Sequence, residues 1–453
     1  MTGESDPRQP ALAEESQAAD TVAGHNYGPF SALRHRNYRL FWFGQLISVS
    51  GSWMQTVAQG WLIAKLAASS GANPEAATAW YLGLISACGN LPVLFGALLG
   101  GVVADRVDKR RLIIGTQAVM MITALVLSLL TATDVVRIWH VLVMAVVLGC
   151  ATAFDLPARQ AFIVDMVGKE DLGGAVALNS GLFNSARMIG PAITGALLAA
   201  HASLAVCFLA NGLSFLAVIA SLMMMEVPTH RVTVSDQHVI QTIREGLGYV
   251  RHTPAVRRVL IFVAAFGTFA FSFNVLLPAF VRFYLARNLA NDFGLQGSKY
   301  GMLESVRGIG ALAAALTAAT LAKRRMQAKL IVFGAIGSTI GLIVFSMQRS
   351  LLPAYISIAF VSFFFVLCFA SSQTLVQLEV PNHLRGRVMS IYVLLMTGLS
   401  PIGSLMAGSL AHTFNTPFAI RAGVILGIVL TGLGLGAELF HRRQGKMVGS
   451  SGA

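Results

Sequence analysis

The sequence predicts an all-α polytopic membrane protein, with twelve transmembrane helices in two six-helix bundles around a central cavity. Three observations predict it. Only 12 % of the 453 residues are charged and 55 % are hydrophobic, whereas soluble domains carry roughly 25 % charge. Apolar runs long enough to cross a hydrocarbon core of ~30 Å recur along the whole chain. Arg and Lys gather in alternate short loops between those runs, the asymmetry expected of a chain that crosses a membrane repeatedly.

The runs fall at 38–66, 78–102, 112–132, 138–161, 175–199, 204–226, 257–285, 300–321, 329–348, 352–376, 386–411 and 417–440. The loop from Gly101 to Arg111 sets their orientation. It holds Asp105, Arg106, Asp108, Lys109, Arg110 and Arg111, and it is too short to carry a domain. It is therefore a tight basic hairpin on the cytoplasmic side. With both termini inside, only seven of the 33 Arg and Lys lie outside. Shifting the count by one span would invert this asymmetry. A formal charge of +13 could suggest nucleic acid, but the bases sit between apolar spans, so no nucleic-acid partner is expected.

Residues 1–30 are polar, Ala-rich and acidic and predict a disordered cytoplasmic tail rather than a cleaved leader. The first bundle follows over 31–226, beginning with a positive cluster (Arg34, Arg36, Arg39) and an aromatic belt from Tyr38 to Phe43. A cytoplasmic linker covers 227–256. Within it Val239, Ile240, Ile243, Leu247 and Val250 have the spacing of an amphipathic helix on the membrane surface. The second bundle covers 257–441 and a second cytoplasmic tail 442–453. The halves echo each other. Lys109-Arg110-Arg111 recurs as Lys323-Arg324-Arg325, and Leu172, Gly174 and Val176 recur as Leu384, Gly386 and Val388, at nearly the same offset. Two six-helix repeats related by an axis along the membrane normal would give this pattern.

The hairpin residues Gly101, Asp105, Arg106, Lys109 and Arg110, placed after a second apolar run, resemble the loop signature of the major facilitator superfamily. Further resemblance lies in Leu33 to Leu40, in Leu384 to Ser390, and above all in Ala177 to Pro191. These segments are similar to the branch that contains the enterobactin exporter and other bacterial drug and siderophore exporters. Gly190-Pro191 followed by Gly195 is similar to that branch's antiporter signature, a kink tied to the export direction. The resemblance implies secondary active transport from a bacterial cytoplasm across the inner membrane, and a conformational switch in the hairpin. It implies a small amphipathic substrate moved at the expense of a proton gradient.

Residues inside the spans carry the candidate chemistry, because a charge there is expensive and must face a cavity or a partner. Arg187, near mid-span, reads either as an anchor for an anionic or phenolate-bearing substrate or as a structural donor to Asn179, Asn184 or a carbonyl. Glu304 and Arg307, at i and i+3, share a helix face. Glu304 is thus either a proton-exchanging carboxylate or half of a closed ion pair. Asp155 offers the same choice with Arg159 at i+4, beside the helix-bending Pro157. Gln55, Asn184 and Asn274 would add polar wall to a binding cavity, although singly each is equally an interhelical hydrogen bond.

No phosphate-binding Gly-rich loop, metal-ligand spacing or nucleophile–base–acid set occurs. No cofactor, no metal and no enzymatic activity are expected, and a gradient must supply the energy. A lysophospholipid-type flippase is the first alternative. It would need an apolar lateral opening between spans five and eight. A non-transporting scaffold or sensor is the second, but it would have no use for charges at 187, 304 and 307.

Overall fold

The computed structural model describes residues 30–68, 73–168, 171–226, 239–289, 292–321 and 324–450. The tail up to residue 29 and residues 227–238 of the linker lie outside them. So do the side chains of Gly101, Asp105 and Arg106 in the hairpin.

Among the described residues the chain is helical, with no strand. A 3₁₀ turn, Ser31–Arg34, leads into α1 (Arg36–Ala68). The first half continues with α2 (Pro74–Arg106), α3 (Lys109–Ala132), α4 (Ile138–Val167), α5 (Leu172–Ala199) and α6 (Leu204–Met223). The linker helix is α7 (Val239–His252). The second half begins with α8 (Pro254–Ala270) and α9 (Phe273–Phe280), which form one broken span ending in a π turn, Val281–Leu285. It continues with α10 (Phe293–Thr320), α11 (Arg324–Met347) and α12 (Leu351–Glu379). A second broken span, α13 (Asn382–Gly398) plus α14 (Ser400–Thr413), and α15 (Thr416–Ser450) complete it. Counting each broken pair once gives the expected twelve spans.

Among the described residues, nine of these spans are long and apolar enough to cross a membrane. The three that fall short are α1, α5 and α10. They hold Gln45, Gln55, Arg187, Glu304 and Arg307, polar groups that lipid would not tolerate, so these helices must present a face to other protein. Local chemistry sets several boundaries. Asn73 caps α2 by accepting from the Ala76 N–H (3.2 Å) and Asp108 caps α3 by accepting from the Arg111 N–H (3.2 Å). Asp292 caps α10 through the Leu295 N–H (2.8 Å), each satisfying an amide that the first helical turn leaves free.

Basic residues mark one face of the bundle. There Lys109 pairs with Asp165 at 2.8 Å, and Arg110 donates to the Met223 carbonyl at 2.9 Å, tying α3 to α4 and to the end of α6. His35 meets Asp171 at 2.7 Å. Hydrogen bonds from Ser31 and His35 hold the Asp171 carboxyl below the usual carboxylate range. The linker helix docks on this face as well: Arg387 of α13 pairs with Glu245, and Tyr249 donates to the Glu379 carbonyl at 3.0 Å.

The halves meet toward the opposite, far face, through two glycine crossings. A Cβ on Gly301 of α10 would lie 2.7 Å from both Cα and N of Gly195 on α5, and 2.8 Å from the Pro191 carbonyl. A Cβ on Gly83 of α2 would lie 2.6 Å from the Ser404 carbonyl and 3.1 Å from Cα of Gly408 on α14. Span two pairs with eleven as span eight pairs with five, which is the pairing two repeats related by a twofold axis must make. Only glycine lets backbones approach so closely.

Candidate functional site at the meeting of the two halves

Just on the basic-face side of the Gly195–Gly301 crossing, side chains from both halves converge. Arg307 pairs with Glu304 at 2.7 Å on α10 and donates to the Asn274 side-chain carbonyl on α9. Tyr300 stands one turn before Glu304 on the same face of α10. From the first half Arg187 lies within electrostatic range of both Glu304 and Arg307. Its guanidinium sits 5.0 Å from the centroid of the Trp53 ring on α1, a cation–π contact. Arg187 Nε is buried without a hydrogen-bond partner.

The helix registers explain the convergence. On α10, Tyr300, Glu304 and Arg307 recur at helical spacing on the flank beside the one that Gly301 and Gly308 present to α5. On α5, Ser180, Asn184 and Arg187 share a face with Pro191, which touches Gly301. Gly190 brings α1 close: a Cβ there would lie 2.4 Å from the Ser50 carbonyl and 2.7 Å from Cβ of Trp53. The kink motif Gly190, Pro191 and Gly195 therefore places Arg187 between α1 and α10. Two guanidiniums face one carboxylate, so the cluster carries a formal +1 when Glu304 is ionised. It can hold an anion, and it can exchange a proton at one oxygen pair.

Arg187, Glu304, Arg307 and Asn274 are thus brought together, and the other sequence candidates are placed elsewhere. Asp155 lies inside the first half and accepts from Thr116 (2.9 Å), Gln117 (2.8 Å) and Arg159. Arg159 also reaches Gln45. An Asp155→Asn change leaves Arg159 buried without its counter-charge, a loss of about 3 kcal/mol. The expected outcome is a lower unfolding temperature in detergent, with the pH dependence of ligand binding kept. Gln55 accepts from Asn211 of α6 at 2.6 Å, an interhelical bond within one half. Asn184 donates to the Ser180 carbonyl at 2.9 Å, on the face that leads toward Arg187.

Sequence reasoning missed Trp53 and Tyr300. Tyr300 was open to the same i, i+4 argument that pairs residues on one helix face; nothing local marks Trp53. It also missed a latch across the far face. Glu75, at the start of α2, accepts from the Tyr284 hydroxyl (2.8 and 3.0 Å) and from the Thr416 N–H (2.7 Å). Nearby, Trp61 donates to the Phe293 carbonyl at 3.2 Å and stacks on Phe293 and Tyr300 with centroids 4.9 and 5.9 Å apart. Arg282 reaches the Ala64 carbonyl. These contacts, with the glycine crossings, close the far side. Toward the basic face, Gly173 and Gly181 of α5 and Gly386 of α13 have open space where a Cβ would stand.

A family model described as transmembrane secretion effector (MFS_3) matches residues 27–445. The chain belongs to this family. It is similar to the staphyloferrin A transporter of Staphylococcus aureus, with 25 % identity over 398 residues, covering 86 % of this chain and 92 % of that one. It is similar as well to the multidrug efflux pump Tap of Mycolicibacterium fortuitum (25 % identical; 82 % and 88 % covered). The enterobactin exporter EntS of Escherichia coli is 23 % identical (81 % and 85 % covered). Among solved structures, a bacterial homologue of the lysosomal transporter Spinster in an inward-facing state superposes with a TM-score of 0.68 at 14 % identity. It covers 88 % of this chain and 96 % of that one. A D-xylose–proton symporter superposes with a TM-score of 0.67 at 14 % identity (89 % and 97 % covered). The fold is that of the major facilitator transporters, and the protein is a polytopic membrane transporter, not an enzyme.

Proposed function

We propose that the chain is a proton-linked secondary exporter of a small amphipathic compound bearing an anionic group, and that Arg187 is its anchor. The observation that carries this reading is the three-charge cluster at the junction of the halves, where the Arg187 guanidinium has no carboxylate of its own. The basic face is cytoplasmic in this reading, with both termini on it, because Arg and Lys concentrate there. The structure would then be the state closed to the outside, with the cluster at the end of a path open to the cytoplasm. Separation of α5 from α10 and of α2 from α14, with closure of the basic face, would turn the site outward. Asp105 of the hairpin would hold that second state by capping the start of α13 near Arg387 and Val388. The Trp53 ring gives the substrate's apolar part a flat partner beside the charge. The efflux relatives support the outward direction.

The test uses two aromatic dyes of opposite charge on purified protein: Lucifer yellow, a naphthalimide disulfonate, and the cation ethidium. Arg187→Ala should weaken Lucifer yellow binding about tenfold to a hundredfold, the worth of a lost charge-assisted hydrogen bond. Ethidium binding should change little. An equal loss for both dyes, or Lucifer yellow binding unaffected by the change, would assign Arg187 to packing.

A further inference from the structure

On the lipid-facing side of the first half, near the basic face, a groove of about 250 Å³ runs between α1 and α6. It is separate from the three-charge cluster. Its floor is where the two helices touch: a Cβ on Gly44 would lie 2.5 Å from Ser221 Oγ and 3.1 Å from Cα of Val218. Its walls are apolar, with Leu40, Ala217 and the half-exposed Phe43 and Ile47, each 53 % exposed. At its mouth stands Arg39.

Three features of this groove point to one kind of occupant. Arg39 is exposed and pairs with no acid among the described residues, whereas Arg36, one turn earlier, is paired with Glu226 at 3.4 Å. Arg110 adds a further positive charge at the same end of α6, on the Met223 carbonyl. The unneutralised charge at this corner is therefore positive. Arg39 also lies in the aromatic belt where α1 enters the membrane, at the depth of lipid headgroups. From Arg39 the groove leads deeper past Phe43 to Ile47, a distance of about 12 Å along a helix, with no other charged side chain along its lining.

We propose that this groove binds an anionic phospholipid. Its phosphate sits on Arg39, and one acyl chain lies over Gly44 between Phe43, Ile47 and Ala217. Charge at the mouth and hydrocarbon behind it match a headgroup and its chain in the orientation that the bilayer imposes. A basic pocket between helices at the interface recognises such lipids by their charge. Ser221 makes no demand on the ligand, because its hydroxyl already donates to the Ala217 carbonyl at 2.7 Å.

The experiment is native mass spectrometry of the full-length, delipidated protein. It is titrated with phosphatidylglycerol, with phosphatidylcholine of the same chains, or with inorganic phosphate. The expected result is retention of phosphatidylglycerol over phosphatidylcholine, with no retention of phosphate alone. Arg39→Gln should reduce phosphatidylglycerol retention at least fivefold. Ala217→Phe, which fills the groove and leaves Arg39 in place, should reduce it as much. Arg34→Gln removes an exposed arginine of the same basic face that does not line the groove and should leave retention unchanged. The proposal is overturned if Arg34→Gln and Arg39→Gln act alike, which is diffuse surface attraction. It is also overturned if both lipids are retained equally, or if Ala217→Phe has no effect while unfolding at the wild-type temperature.

Discussion

Glu304→Gln is expected to produce a protein that binds an anionic substrate more tightly than the wild type wherever wild-type Glu304 is ionised, and that no longer exports it. The sign follows from the charges of the cluster. With Glu304 ionised, Arg187, Arg307 and Glu304 sum to +1; with Glu304 protonated they sum to +2. Wild-type affinity for an anion should therefore rise as pH falls through the titration of Glu304. The Gln variant is held in the uncharged form and should show high affinity with no such pH dependence. One unit charge at about 5 Å and an effective dielectric near 20 amounts to about 3 kcal/mol, so the change in affinity should be on the order of a hundredfold. Export fails for the same reason. The carboxylate that takes the guanidiniums back from the substrate is missing, and release becomes slow. Equilibrium binding of Lucifer yellow across pH, alongside efflux from loaded vesicles, separates the two effects. Loss of binding at every pH would instead make Glu304 a structural partner of Arg307.

This linkage also constrains what can be exported. A proton that binds together with the anion leaves with it, which is co-transport rather than the antiport that the kink motif implied. An inward proton gradient therefore opposes export, and the membrane potential must drive it. A substrate carrying more negative charge than that one proton departs as a net anion, and an interior-negative potential favours its exit by about 2.3 kcal/mol per charge for each 100 mV. Multiply charged aromatic anions suit the site better than monoanions on this ground.

Gly301→Leu should abolish transport while the protein still inserts and folds. Its Cβ alone would overlap the Gly195 backbone, at 2.7 Å from both Cα and N. Backbone atoms cannot rotate away as a flexible side chain can. The halves must part at α5 and α10, which costs the state closed on the far face and leaves the open one populated. Spin labels at Ser203 and Asn415, one on each half at the far face, should report a longer distance in the variant than in the wild type. Gly115→Leu, at a position on α3 with open space around it, should match the wild type in distance and in transport. An unchanged distance with full activity in Gly301→Leu would mean that the crossing is not part of the closing contact.

The sequence made some of this architecture legible and hid the rest for physical reasons. Spans of lipid-crossing length, the base asymmetry and the two repeats could be read directly, because each is a property of a single segment or of a fixed offset. The pairs Glu304–Arg307 and Asp155–Arg159 were readable because a helix puts i+3 and i+4 on one face. Arg187 lying over Trp53 and within range of Glu304 was not, since no local spacing encodes contacts between α1, α5 and α10. The same holds for Gln55, whose partner Asn211 lies on another helix. The Glu75 latch was hidden differently. An acid at a helix start reads as a solvated end, and only the folded chain shows that Tyr284 and the Thr416 amide occupy it. Gly195 appeared in a kink motif, whereas its contact with Gly301 could be seen only once the repeats were docked.

The measurement that tests the central claim most directly is efflux of Lucifer yellow from loaded proteoliposomes with and without an imposed pH step. The dye's charge stays constant over the range used, so any response belongs to the protein. Acidifying the lumen should accelerate wild-type efflux and leave Glu304→Gln efflux unchanged. Equal acceleration in both proteins, or no acceleration in the wild type, would contradict a proton site at Glu304 linked to an anion held by Arg187.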